Sequence, residues 1–176
     1  MKTKIKGRHK SAQPLVSAEH LASAIKTVAA MSLKEKEAVC DTLYATQPNL
    51  LGLVLVQSSL GATMETVDVL LNILIVFHIS IENSGHVLGT VSEADLKRNL
   101  ERAVATIRFT EGLDEKSFDQ SVQQVMACET EKVLLAYAID TMLRAGFPNL
   151  RYENSKYHML AGINIVNCIA TAERVK

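Results

Sequence analysis

Tryptophan is absent from the 176 residues, aromatic residues make up 5%, and proline and glycine number only 3 and 8. So few turn formers exclude a collagen-like repeat, a Pro/Gly-rich disordered chain and a turn-dense β-sandwich. So few rings leave poor stacking platforms for single-stranded nucleic acid. The cysteines, Cys40, Cys128 and Cys168, are odd in number and far apart, and each lies in an apolar helical context. They form no CxxC redox or metal motif and read as reduced thiols packed as small hydrophobes in a reducing, cytoplasmic compartment.

The common catalytic signatures are missing as well. Neither GxxxxGK[ST] nor GxGxxG occurs to cradle a phosphate, and there is no GxSxG nucleophile elbow. A helical di-iron site needs Glu-x-x-His pairs, of which there are none. The histidines, His9, His20, His78, His86 and His158, show no paired ligand spacing. Cys40 has Glu37 and Asp41 as neighbours and Cys128 has Glu129, and nearby acids raise a thiol pKa rather than activate it. The sequence therefore assigns no catalytic residue, no metal ligand and no cofactor. The basic N-terminus is not followed by a long apolar run, since Glu19 and His20 break "PLVSAEHLASAI", so no secretory signal is expected.

What is present is balanced overall and uneven locally. Lys+Arg and Asp+Glu both number 19, giving zero net charge, yet the first ten residues hold Lys2, Lys4, Lys6, Arg8 and Lys10 and no acid. Removing those five leaves 14 basic against 19 acidic residues, so the body carries −5. Any polyanion binding falls to the arm. Residues 1–16 are expected to be a basic arm and linker, and residues 17–176 a single helical domain.

Helix grammar runs through the remainder. Ser17 can cap a first helix whose face carries Leu21, Ile25, Val28 and Ala29. "SLKE" is a capping box of Ser32 and Glu35, opening a helix with Leu33, Val39, Leu43 and Tyr44. Pro48 suits the first turn of "NLLGLVLVQSSL", and Gly61 its end. Thr63 caps the next helix and Gly85 ends it. Ser92 caps a helix with a stripe of Leu96, Leu100, Ala103, Val104 and Ile107, and Asp95–Arg98 stand at i, i+3 on its outer side. Ser117 with Gln120 is a second capping box, and from Phe118 to Ala145 no Gly or Pro intervenes, although the apolar phase shifts near Glu129. A last apolar helix follows, with Gly162 allowing close approach of another backbone. The fold class predicted is all-α: a compact bundle of six to eight helices, with the segments near 50–60 and 64–81 at its centre.

The most apolar stretch is "VLLNILIVFHISI", residues 69–81, bracketed by Asp68 and Glu82. Thirteen helical residues rise only ~20 Å, short of a hydrocarbon core of about 30 Å. No membrane role is expected; a helix apolar nearly all round is one that other helices wrap. His78 and Glu82 stand at i, i+4 within it, and an imidazole there most simply bonds a carbonyl or that acid.

Three functional readings follow. The first is a non-catalytic assembly subunit or adaptor, homo- or hetero-oligomeric, because the mean hydropathy of +0.11 is high for a small helical domain. The "NLLGLVLVQ" helix and the C-terminal helix supply its candidate faces. The second is a nucleic-acid-associated protein using Lys2, Lys4, Lys6, Arg8 and Lys10 with Lys97, Arg98 and Arg102 on one helix. The third is a ligand pocket or enzyme centred on His78 with Glu82 and Asn72, or with Asn164, beside it.

Overall fold

Four helix starts, at Ser17, Ser32, Thr63 and Ser92, are closed by the local hydrogen bond of an N-cap. The structure, a computed structural model, describes residues 13–110, 129–147 and 155–175. In α1 (Ala18–Ala30) the Ser17 hydroxyl accepts from the His20 N–H at 3.2 Å, and the His20 ring accepts from the Ser17 N–H at 3.5 Å. In α2 (Leu33–Thr46) the predicted box closes, with the Ser32 N–H donating to the Glu35 carboxylate at 2.7 Å. Pro48 sits in the first turn of α3 (Pro48–Leu55), which tightens into a 3₁₀ turn, Val56–Leu60, and ends at Gly61 with φ +88°. Thr63 caps α4 (Met64–Asn83) by accepting from the Thr66 N–H at 3.2 Å. Then come β1 (Val87–Leu88), α5 (Glu93–Thr110), α6 (Lys132–Arg144), α7 (Ser155–Thr171) and β2 (Arg174–Val175). The described residues thus hold seven α-helices in an all-α bundle.

α4 is the centre. Leu70, Ile73, Leu74, Ile75, Val76 and Phe77 are all buried, α1 lies along one side, and α3, α6 and α7 pack on others. Phe77 meets Tyr137 of α6 edge-on, with ring centroids 6.1 Å apart. By length and composition α4 is the one helix among the described residues that could cross a membrane; in the bundle it is the element the other helices wrap. The buried residues of all these elements form one contiguous core.

Several expectations shift. "SAQPLVS" is not wholly a linker, because Leu15 and Val16 are buried in the core. The inner face of α1 is Leu21, Ala24 and Val28, with Ala29 exposed. Leu33 and Tyr44 of α2 point outward at 75% and 73% exposure, so only Leu43 of that helix is fully buried. The α5 face is rotated: Asn99 and Ala103 are buried while Leu100 is exposed. A two-stranded antiparallel pairing, Val87 with Val175 and Leu88 with Arg174, was not expected. Of the two readings that residues 117–146 allow, one long helix or two joined near Glu129, the non-helical stretch at 129–131 before α6 excludes the first. The Ser117–Gln120 box, Cys128 and residues 1–12 lie outside the described residues. Gly162 does allow a close approach, by a side chain rather than a backbone: a Cβ there would collide with Met142 Sδ.

Candidate functional site

The corner "TQPN" between α2 and α3, read from sequence as a break, is a clamp. Gln47 is buried and spends its whole amide on the segment after β1. Its Nε2 donates to Leu88 O at 3.2 Å and Gly89 O at 3.0 Å, and its Oε1 accepts from the Val91 N–H at 3.0 Å. Asn49 donates to Val91 O and the Thr90 hydroxyl donates to Thr46 O. On its other side the segment is held by β2, with the Gly89 N–H donating to Glu173 O at 2.8 Å. These bonds fix Val87 and Leu88 against the end of α4.

A cavity of ≈ 180 Å³ lies between this clamp and α4. Its apolar floor is Leu43, Leu50, Leu74, Ile81, Leu88 and Ile169, and Thr42, Thr46, Gln47, His78, Glu82 and His86 supply its polar groups. His78 and Glu82 meet as their spacing predicts, Nε2 to Oε1 at 3.3 Å, with His78 side-chain exposure 17% and that of Glu82 56%. The histidine is therefore not sealed in the dry core; it stands at the cavity wall with its acid at the rim. His86 is held by Ser84, Nδ1 to Oγ at 3.0 Å.

The other predicted members are elsewhere. Asn72, one face further round α4, lines a separate, more open groove with Cys40, Glu37, Asp41 and Asp68. Burial raises the Cys40 thiol pKa, and Asp41 and Glu37 add to the effect. Asn164 faces α5, where its Nδ2 donates to Leu96 O at 3.1 Å. That contact belongs to a buried polar seam in which Asn99 Nδ2 donates to the Thr171 hydroxyl at 2.9 Å and approaches Cys168 Sγ at 3.6 Å. Desolvation pushes the Cys168 thiol up to about 11. Among the described residues no group of His, Cys, Asp and Glu could hold a metal ion.

Of the candidate nucleic-acid residues, Lys2, Lys4, Lys6, Arg8 and Lys10 lie outside the described residues. Lys97, Arg98 and Arg102 are exposed on α5, and Arg98 pairs with Asp95. Ser92 closes a box with Asp95 as well, and its hydroxyl and N–H hold that carboxyl below its ordinary pKa, helped by Arg98.

Sequence reasoning missed Gln47, His86 and the two threonines because none belongs to a periodic apolar pattern. It also passed over two buried polar contacts. Glu131, 1% exposed, accepts from the Leu15 N–H at 2.6 Å and the Val16 N–H at 3.3 Å. His158 is buried and meets Gln57 Oε1 through Nδ1 at 2.9 Å, and desolvation lowers its pKa. No family profile, curated protein or solved structure matches this chain.

Proposed function

We propose that this protein is a non-catalytic helical subunit that self-associates through the corner joining α3 to α4, in the reducing compartment that its free thiols suit. One observation carries the reading. Within residues 55–64, "LVQSSLGATM", Leu55, Val56, Leu60 and Met64 are 51%, 45%, 48% and 71% exposed, and the stretch has no charged residue. The Gln57–His158 bond brings the start of α7, with exposed Tyr157, alongside. An uncharged apolar patch packs on its own copy without bringing like charges together, and the whole chain is also neutral. The C-terminal helix, the other candidate face, is consumed inside the fold: Ala161, Ile165, Val166, Cys168 and Ile169 are buried.

Sedimentation velocity at micromolar concentrations tests this. The wild type is expected to sediment as a dimer, and Leu60→Glu with Met64→Glu as a monomer with unchanged helical circular dichroism. A wild type that stays monomeric across the range overturns the reading.

A second reading, a ligand site at His78, is favoured by a separate observation, the ≈ 180 Å³ cavity with an apolar floor and polar wall. Nucleic-acid binding draws no comparable support from α5, where Arg98 faces Asp95.

A further inference from the structure

The cavity beside His78 has a polar wall whose hydroxyl and amide protons are already spent. The Thr42 hydroxyl donates to Ala38 O at 3.0 Å and the Thr46 hydroxyl to Thr42 O at 2.8 Å. Both amide hydrogens of Gln47 go to Leu88 O and Gly89 O, and its oxygen is taken by the Val91 N–H. The Ser84 hydroxyl donates to Ile81 O at 2.6 Å, so in its contact with His86 the imidazole supplies the proton from Nδ1. His78 Nε2 lies 3.3 Å from Glu82 Oε1. No lysine or arginine lines the cavity. What remains for a ligand is the hydroxyl lone pairs of Thr42 and Thr46, the second carboxylate oxygen of Glu82 and the other ring nitrogens of His78 and His86.

An anion entering here meets a carboxylate and neither a lysine nor an arginine. A cation with several N–H groups meets acceptors and one opposite charge. Size sets the rest of the molecule. An aliphatic-lined cavity of about 150 Å³ holds a benzene-sized guest, so ≈ 180 Å³ admits one ring and a short side arm. We propose that this cavity binds a small primary amine, its ring or branched hydrocarbon on the floor of Leu50, Leu74 and Ile169 and its ammonium group at Glu82 and the two threonines. The proposal rests on the ligand-site reading above and adds the chemical class.

The test is calorimetric titration of the full chain with three probes of matched size: 2-phenylethylamine, 2-phenylethanol and 3-phenylpropionate. The amine is expected to bind roughly two- to fivefold more tightly than the alcohol, the size of effect a half-exposed ion pair gives. The carboxylate is expected not to bind. Glu82→Gln should bring the amine down to the alcohol's affinity and leave the alcohol unchanged. Thr42→Tyr, at an exposed helical position, should close the mouth and abolish binding of both while leaving the thermal unfolding curve in place. If amine and alcohol bind equally and Thr42→Tyr blocks both, the ligand site stands and the amine assignment falls. The assignment also falls if the carboxylate binds best, or if Glu82→Gln leaves the amine's advantage intact. If no probe binds at millimolar concentration, both the site and the assignment are overturned.

Discussion

Glu131 is the one carboxylate among the described residues that the fold fully buries, at 1% exposure. It stands at the N-terminus of α6, where a negative charge is favoured by the helix dipole, and it accepts two backbone N–H groups from Leu15 and Val16. Glu131→Gln puts an amide donor against one of those N–H donors, so urea unfolding should show a loss of about 1–3 kcal/mol. Cys168 gives a prediction in pH. Its folded-state pKa of about 11 lies above the unfolded thiol range, so the folded protein holds that proton more tightly. The contribution is full below the unfolded pKa and is lost as pH rises through the folded value. The Cys168→Ala variant should therefore show a shallower fall in stability than the wild type between about pH 9 and 11. In a Cys128→Ser background, a thiol reagent at pH 8 should label half-buried Cys40 before Cys168.

At the scale of elements, caps were the most legible feature. Ser17, Ser32, Thr63 and Ser92 each accept the N–H expected of a cap, because the bond reaches only three residues along the chain. Thr63→Ala removes the cap of the central helix and should cost about 1 kcal/mol, read as a lower urea midpoint at unchanged slope. Faces were less legible than caps. The stripe through Leu96 and Leu100 satisfies helical periodicity, yet the face that packs includes buried Asn99. The reason is a partner: Thr171 and Cys168 of α7 bond that amide, and no periodicity records a partner 69 or 72 residues away. In the same way Leu33 and Tyr44 look like core by type and are exposed.

At the scale of the molecule, the boundary of the fold moves. Leu15 lies outside any helix, but it is 3% exposed and its N–H is bonded to a buried acid at the N-cap position of a distant helix. Leu15→Ala should cost about 2–5 kcal/mol in urea unfolding, the range for truncating a buried leucine; a true linker residue would register almost nothing. The cavity belongs to this scale too. His78 and Glu82 were legible as a pair because four residues make one helical turn. The rest of the wall comes from α2, the α2–α3 corner, the strand pair and α7. Asn72, on the same helix and in the same apolar run, lines a different groove because it stands six residues before His78 on α4, beside the first part of α2 (residues 33–41) rather than its last turn.

From the sequence alone came the all-α class, the position of the caps, the role of residues 64–83 as the wrapped helix, and the contact between His78 and Glu82. Each depends on periodicity or on bonds within about one helical turn, which composition and spacing record directly. The tertiary structure decided which polar groups are buried, where Leu15 and Val16 and the β1–β2 pair are held, and what surrounds His78. Gln47 reaches Val91 across 44 residues, and Glu131 reaches Leu15 across 116. Such bonds form only after helices pack. They are worth making because a buried polar group left without a partner costs more than a hydrogen bond gains.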